Sequence, residues 1–372
     1  MNTRAINRSY DDSFAKDGAK IGSALRIRLP NQYTVRTGAN LSAQDTTENQ
    51  VTLNVTTQKG VDTQFTSADL TLSLDDFSQR IINPAMAVLA AAIEADAFAM
   101  ALDVYNAVNN VGSAITFKNT LQARKILNDN LAPMDGQRSV ILNTQDNVDL
   151  VDALKGLFQD SSEIKAQYRD GVMGHTAGFE FSENTLLPSQ TTGTALSATT
   201  YTVNGANQTG SAVTVATGST TFKKGDVVNL AGCNSVHPET KVSTGILQQF
   251  VVTADYAGGG GNLAISPAIV TSGATQNVSG SPTNGGAVTK IGGASAIYKP
   301  SLAFHKDAFT FATADLVLPK GVDMASRAVM DGISMRLVRQ YDINFDRFPV
   351  RLDVLYGYQT IRPQLAARIL SN

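Results

Sequence analysis

The chain has 372 residues, 42% of them hydrophobic, so it is long enough to bury a sizeable core in about two or three domains. Its 30 Lys and Arg residues against 32 Asp and Glu residues leave a net charge of -2, which argues against a dedicated nucleic-acid-binding protein. No run approaches the ~20 apolar residues of a membrane span and residues 1–10 contain no signal-peptide core, so we expect no membrane contact. A single cysteine cannot form an internal disulfide, which predicts a protein that works in a reducing cytoplasm or is indifferent to redox state.

Residues 24–74 are typical of an extended β-hairpin. Apolar and polar residues alternate over Leu25–Leu29 and again over Val51–Val55, which predicts two strands. Between them, Thr37–Gln50 is polar, with Leu41 as its only large apolar residue. Because a two-stranded hairpin is marginal alone in water, we expect it to lie on another surface, and a neighbouring copy of the chain is a candidate.

The segment Asp75–Tyr105 predicts one long helix with apolar residues on two faces, and Asp75 and Asp76 suit its N-terminal end. One face carries Phe77, Ile81, Pro84, Val88, Ala92, Ala95, Ala99 and Leu102. The other carries Ile82, Met86, Leu89, Ile93, Ala97, Met100 and Val104. At about 1.5 Å per residue this helix would extend roughly 40 Å or more. A helix with two apolar faces has to be covered from both sides, so we expect a scaffold on which sheets pack.

An α/β pattern continues to Pro188. The expected helices, with the residues expected to face inward, are Asn119–Asn130 (Leu121, Ile126 and Leu127) and Asn143–Phe158 (Val148, Val151, Leu154, Leu157 and Phe158). Asn143 and Thr144 are the alternative caps of the second helix. A short buried strand, Ser139–Leu142, lies between the helices, and the glycine-punctuated Gln167–Phe181 is a loop that leads into a strand.

The next region contains no charged residue over Asn184–Phe222 or over Tyr256–Thr289. Turn-forming residues separate short alternating runs at Thr200–Val203, Ala212–Val215, Val227–Leu230, Phe250–Thr253 and Leu263–Ile265. Many short strands at regular intervals predict a small β-barrel or sandwich. Because the α/β pattern resumes at Tyr298, we interpret this region as a domain inserted into a host domain. A long hairpin follows, with strands over Ile333–Tyr341 and Val350–Tyr356 joined by the bend Asp342–Phe348.

The sequence offers little sign of catalysis. Ser162–Lys165 fits the Ser-x-x-Lys pattern of penicillin-binding proteins and Ser182–Asn184 echoes their second motif, but Lys-Thr-Gly is absent. The histidines (His175, His237 and His305) are far apart and lack metal-ligand spacing, and Cys233 is interpreted as a structural thiol. Scattered basic residues such as Arg124 and Lys125 suit solvated faces. We therefore expect no enzyme activity, no cofactor and no metal.

The order of these parts resembles the major capsid protein of tailed double-stranded-DNA bacteriophages, of the podovirus type with an inserted β-barrel. The resemblance is carried by Phe65–Leu70, Leu74–Phe77, Ile164–Gly171, Gly178–Phe181, Asp315–Pro319 and Arg351–Gly357. It implies an α+β fold, the tailed-phage major capsid fold, with an extended loop, a peripheral domain with a long spine helix, an axial domain and an inserted all-β domain. Members of that group usually have a longer N-terminal arm than residues 1–23.

The resemblance also implies a division of the chain. The expected parts are an N-terminal arm (1–23), an extended β-hairpin loop (24–74), the spine helix with the first part of the peripheral and axial domains (75–188), the inserted barrel (189–296), and the remainder of both domains with the terminal hairpin (297–372). The extended loop would lie across a neighbouring subunit. The insert would face outward and stabilise the subunit or the contacts between capsomers.

The function implied is a major capsid protein that self-assembles into the icosahedral shell enclosing a phage genome. Its partners would be copies of itself in hexamers and pentamers, scaffolding and portal proteins, and packaged double-stranded DNA through weak non-specific contacts. It would be assembled in the host cytoplasm and reside in the virion. Because the net charge is small, we expect local ion pairs of Arg26, Arg28 and Arg36 to contribute to inter-subunit contacts. The alternatives are a Ser-Lys type hydrolase and a β-rich surface adhesin.

Overall fold

The computed structural model describes residues 6–11, 24–41, 43–45, 48–66, 82–154, 174–330 and 332–371. The chain divides into two compact units, each built from segments that are distant in sequence. Unit 1 is drawn from Met1–Leu29, Gln50–Phe98 and Phe309–Ile361. Unit 2 is drawn from Pro30–Asn49, Ala99–Ala308 and Arg362–Asn372.

The described helices are α1 (Asn83–Phe98), α2 (Phe117–Asp129) and α3 (Thr144–Leu154), with short 3₁₀ segments at Ala99–Asp103, Lys306–Ala308 and Pro363–Leu365. The described strands of the first half are β1 (Asn7–Asp11), β2 (Ala24–Arg28), β3 (Gln50–Asn54), β4 (Thr57–Thr66), β5 (Ala107–Asn109), β6 (Arg138–Leu142), β7 (His175–Thr176), β8 (Phe179–Glu183) and β9 (Gln190–Thr191). Those that follow are β10 (Ala198–Thr202), β11 (Gly210–Val215), β12 (Val227–Val236), β13 (Ser243–Val252), β14 (Gly261–Ile269), β15 (Ala287–Lys290) and β16 (Ile297–Tyr298). The last are β17 (Ser301–His305), β18 (Phe309–Ala314), β19 (Met324–Met330), β20 (Ile333–Arg339), β21 (Arg347–Thr360) and β22 (Ala366–Leu370).

Unit 1 is organised around one six-stranded sheet, here called the long sheet, in the order β1-β18-β21-β20-β19, with β4 also paired to β21. β21 is 14 residues long and has three partners: β4 pairs with residues 347–356 along one edge, while β20 pairs with residues 350–354 and β18 with residues 355–360 along the other. β20 and β21 are antiparallel, with Leu337 opposite Leu352. The predicted hairpin over Ile333–Tyr341 and Val350–Tyr356 is therefore confirmed.

Helix α1 packs against β4 and β21 of the long sheet through one face only. The face with Leu89, Ile93 and Ala97 is buried, whereas Val88, on the other predicted face, is 63% exposed. Within the described part of the chain the prediction that both faces are covered is wrong, because the sheet lies along one side of the helix. The 21 residues Asn83–Asp103 also meet the length and composition of a membrane span, contrary to our expectation. Core helices meet the same criterion, and the expected helical residues 75–81 lie outside the described part.

Unit 2 contains a second six-stranded sheet, here called the central sheet, in the order β5-β22-β17-β6-β8-β7. Three of its four inner strands, β6, β17 and β22, are buried at every position, which is typical of strands covered on both faces. Helix α2 packs against β5, β17 and β22, and helix α3 against β6. The predicted strand over Ser139–Leu142 is confirmed as the inner strand β6.

The helices of unit 2 begin at capped positions, but their buried faces differ from those expected. The N–H of Asp146 donates to Oδ1 of Asn143 at 2.7 Å, so Asn143 rather than Thr144 caps α3. Leu150 is fully buried, whereas Val148 is 62% exposed. In α2, Ala123 and Leu127 are buried but Leu121 is 40% exposed. The expected inward positions Leu121 and Val148 are therefore wrong, because small and polar residues occupy part of the buried stripes. Residues Leu157 and Phe158 lie outside the described part.

The strands of the uncharged region form a closed barrel in unit 2. Their order is β10-β15-β12-β13-β14-β11, and a bridge between Val203 and Val215 joins the two ends of the sheet. Fully buried aromatic rings fill the interior, with the centroids of Tyr201 and Phe222 5.3 Å apart. All the strands predicted here are present, and β15 was missed. The domain limits 189–296 stay a prediction.

Candidate inter-subunit surfaces

Strands β2 and β3 form a two-stranded ribbon whose base is anchored on the chain itself. The strands pair in antiparallel register, with Ile27 opposite Val51. Leu53 and Val55 are buried in an apolar cluster with Ala312 and Ala314 of β18. The expected supporting surface is therefore supplied, at the base of the ribbon, by unit 1 of the same chain rather than by the candidate neighbouring copy.

The tip of the ribbon, residues 29–49, contains no strand among its described residues. It is held instead by the side chain of Gln44, whose Oε1 accepts the N–H of Thr34 at 2.9 Å and whose Nε2 donates to the Thr34 carbonyl at 2.6 Å. This amide replaces the backbone ladder that paired strands would provide. The tip exposes the apolar residues Tyr33, Val35 and Leu41, with Val35 94% exposed and Leu41 88% exposed. Neither Tyr33 nor Val35 was singled out from the sequence, although both lie in the alternating polar and apolar run Asn31–Arg36.

The three arginines predicted to make inter-subunit contacts lie in two different parts of the hairpin, the strand β2 and the tip. Arg26 and Arg28 lie on the ribbon strand β2 and are exposed. Arg36 lies in the tip and uses Nη1 to donate to the carbonyl of Gly38 and to that of Asn40, the latter at 2.9 Å. Arg36 therefore shapes its own loop, and its contact with another subunit stays a prediction.

A glycine allows strand β4 to lie close to β21. Gly60 lies opposite Asp353 in the register. A methyl group at Gly60 would come 2.5 Å from Oδ1 of Asp353 and 2.7 Å from the carbonyl oxygen of Leu352. Only glycine fits there without displacing a strand.

The carboxylate of Asp353 is the centre of a buried ion network on the long sheet. Its side chain is 1% exposed and receives Nη2 of Arg336 at 2.7 Å and Nε of Arg351 at 2.7 Å. Burial opposes ionisation, but the hydrogen bonds from Arg336 and Arg351 outweigh it and hold the pKa of Asp353 below its usual value. The sequence signal for this network was an aspartate within an alternating strand, two residues after an arginine.

A second polar contact joins the helix α1 to the long sheet. Asp96 of α1 accepts a hydrogen bond from the Tyr356 hydroxyl and forms an ion pair with Nζ of Lys59 at 2.6 Å. Burial and then the bond to Asp96 raise the pKa of Tyr356, so the phenol stays protonated and donates. Asp96 therefore connects α1 to both β4 and β21.

The turn between β20 and β21 exposes apolar side chains, and contacts within the turn hold them in place. Ile343 is 79% exposed and Phe345 67% exposed. The guanidinium of Arg347 lies 4.5 Å from the centroid of the Phe345 ring, and the Tyr341 hydroxyl donates to Asp346 at 3.0 Å. Preorganised aromatic and arginine residues of this kind are typical of protein–protein contacts.

The barrel is joined firmly to the central sheet within unit 2. The amide of Gln249 on β13 makes two hydrogen bonds to Ala107 on β5, at 2.7 and 2.9 Å. Arg368 of β22, which is fully buried, donates to the carbonyl of Gly225 at 3.0 Å. Asp226 beside it accepts the N–H groups of Gly193 and Lys223, both at 2.9 Å. The bonds of Gln249 and Arg368 connect the barrel to the central sheet, while those of Asp226 hold together the segment that Arg368 contacts.

Comparison with known proteins supports a capsid function. The family model described as "P22 coat protein - gene protein 5" matches residues 15–370 of the chain. The chain belongs to the P22 coat protein family. It is a major capsid protein that forms the shell of a bacteriophage, and its place is the virion.

Solved structures from phages are similar in fold to this coat protein. One from Mycobacterium phage Che8 matches with 13% identity and a TM-score of 0.51, covering 99% of this chain and 90% of that chain. The asymmetric unit of the bacteriophage PhiM1 mature capsid matches with 12% identity and a TM-score of 0.47, covering 100% and 86%. None of the curated proteins matches the chain. The similarity to the Che8 protein shows that the coat protein has the α+β fold expected from its sequence.

The candidate catalytic and metal-ligating residues have structural surroundings in the coat protein. Cys233 is buried in the barrel, where its thiol contacts the carbonyl of Gly280 at 3.4 Å and burial raises its pKa to about 11. Nδ1 of His237 accepts backbone N–H groups of its own turn, and buried His305 contacts Asp135 at 3.2 Å. No group of three potential metal ligands occurs in the described ranges. The pair Ser162 and Lys165 lies outside them, and family membership leaves the hydrolase and adhesin alternatives without support.

Proposed function

We propose that the coat protein closes an icosahedral shell of hexamers and pentamers around the phage genome, with the tip of each ribbon lying on a neighbouring subunit. The observation that carries this proposal is the tip itself. It exposes Tyr33, Val35 and Leu41 on a loop held by the side chains of Gln44 and Arg36 rather than by a backbone ladder. Apolar groups on such a loop gain burial only when another surface covers them.

The remaining partners follow from the same proposal. The barrel would face outward, where its rigid attachment would transmit contacts between capsomers to the central sheet. Scaffolding and portal proteins would guide assembly in the host cytoplasm. Packaged double-stranded DNA would be met through weak phosphate contacts only, in keeping with the net charge of -2.

Microscopy and sedimentation of the purified coat protein test the assembly itself. We expect closed shells in negative stain and a concentration-dependent shift to large particles in the ultracentrifuge. A compact monomer at every concentration would contradict the proposal.

Amide hydrogen exchange tests the role assigned to the tip. In unassembled subunits we expect fast exchange over residues 29–41, because this part of the tip has no strand pairing. In shells the same amides should exchange much more slowly, while those of the inner strand β17 should be slow in both states. Equal exchange rates of the tip amides before and after assembly would contradict the proposal that the tip contacts a neighbouring subunit.

Charge reversal tests the predicted arginine contacts. The triple variant Arg26→Glu, Arg28→Glu, Arg36→Glu should raise the protein concentration needed for assembly about tenfold, because three surface ion pairs contribute roughly 0.5 kcal/mol each. A matched control reverses the exposed Lys118, Lys125 and Lys320 to Glu and changes the net charge equally. If both triple variants assemble alike, the arginines make no specific contact.

A further inference from the structure

Strand β19 ends the long sheet, and among the described strands none pairs with its outer edge. All seven of its residues pair with β20, from Met324 opposite Arg339 to Met330 opposite Ile333. In the described part of the chain, no other strand pairs with β19. An edge of this length offers a row of N–H and C=O groups to any extended segment that reaches it.

This edge lacks the features by which soluble proteins usually protect such strands. The sequence over Met324–Met330 contains no proline, lysine or acidic residue, and its register with β20 has no bulge. Its single charge, Arg327, is already paired with Asp315 at 3.2 Å. Ser326, Arg327, Ala328 and Val329 are exposed, with Val329 46% exposed. An edge that is exposed and undefended has to be covered in the working state of the protein or it would promote aggregation.

We propose that β19 pairs antiparallel with β19 of a second copy, across a local two-fold axis of the shell. The inference rests on the proposed shell assembly and adds a defined contact to it. A two-fold axis brings the same strand of both copies together, so the edge would be extended into one sheet that runs through two subunits.

The occupant is a second copy because the strand is complementary to itself when read in the opposite direction. With Ser326 on the axis, Arg327 lies opposite Ala325 and Met324 lies opposite Ala328. Each long side chain then meets a short one, and no like charges face each other. Placing Arg327 on the axis would set two guanidinium groups opposite each other, which disfavours that register.

Disulfide trapping in assembled shells tests this contact. Directly opposite residues of antiparallel strands have Cα atoms about 4.5–5.5 Å apart, within the range that a disulfide spans. We expect the variant Ser326→Cys to yield disulfide-linked dimers on mild oxidation of shells. The matched control Ala328→Cys, equally exposed on the same strand, should yield none, because its two copies would be four positions apart along the pair. The native Cys233 is buried and does not interfere.

The possible outcomes distinguish a failure of the proposed β19 pairing from a failure of shell assembly. A dimer from Ala328→Cys alone would keep the pairing and move the axis by two residues. Shells that give no dimer from either variant, or equal amounts from both, would overturn the pairing while leaving shell assembly intact. Exchange of the β19 amides provides a second measurement, and an unchanged rate between subunits and shells also overturns it. Failure of the unsubstituted chain to form shells would remove the proposed function itself.

Discussion

Replacing Asp353 by asparagine is expected to lower the free energy of unfolding of the unassembled coat protein by about 3 kcal/mol. The carboxylate is 1% exposed and neutralises both Arg336 and Arg351. Asparagine has a similar shape, but it leaves the partly buried guanidinium of Arg336 without a compensating charge. Urea unfolding at neutral pH measures the loss.

An exposed ion pair of the same sheet provides the control for this experiment. Arg339 and Asp323 are 2.6 Å apart, but their side chains are 31% and 38% exposed. Asp323→Asn should therefore cost at most about 1 kcal/mol. Equal effects of the two substitutions would mean that burial does not strengthen the Asp353 network.

The pH dependence of the same variant has a defined sign. Because the pKa of Asp353 is lowered in the folded state, its contribution is fully present above the unfolded value of about 4. It is lost as pH falls through the lower folded pKa. The difference in stability between the unsubstituted chain and Asp353→Asn should therefore be constant near neutral pH and shrink below about pH 4.

Substituting Gly357 by alanine is expected to dislodge the base of the ribbon. An added methyl group would overlap the carbonyl oxygen of Asn54 and lie 2.8 Å from its carbonyl carbon. The ribbon would have to move away from β21, and Leu53 and Val55 would lose their cover of Ala312 and Ala314. We expect a loss of about 3 kcal/mol in the free energy of unfolding and a sharply reduced yield of shells.

Gly293→Ala serves as the control for this backbone clash. Nothing lies within 4 Å of the position that its methyl group would take. Its free energy of unfolding should stay within about 0.5 kcal/mol of that of the unsubstituted chain. Its yield of shells should equal that of the unsubstituted chain within experimental error. Full stability and normal shells for Gly357→Ala would show that the ribbon base tolerates displacement.

Local patterns predicted those strands that carry their own signal. The barrel strands alternate in hydrophobicity between clear turns, and β20 and β21 alternate around a polar bend, so both were expected. Strand β4 has no such pattern: it contains Gly60 and mostly polar residues, and it is a strand because ten of its residues pair with β21. Strand β22 was missed because Arg368 suggests an exposed position, although it is fully buried. Pairing between segments that are distant in sequence decided both cases.

The candidate contact surfaces were predictable in position but not in detail. The polar loop of the hairpin identified the tip, whereas the amide of Gln44 that holds it could not be derived, since its partner Thr34 lies across the loop. Helix α1 shows the opposite case. The sequence shows two apolar faces on this helix, but it cannot tell that, among the described residues, only the face with Leu89 and Ile93 is covered.

The position of β22 has a consequence for when a subunit becomes ready to assemble. This strand fills an inner place of the central sheet, between β5 and β17, yet it is made of residues 366–370. Until residues 366–370 have been synthesised, β5 and β17 have no strand between them and the central sheet cannot close. A subunit is therefore ready to assemble only after this strand has been added.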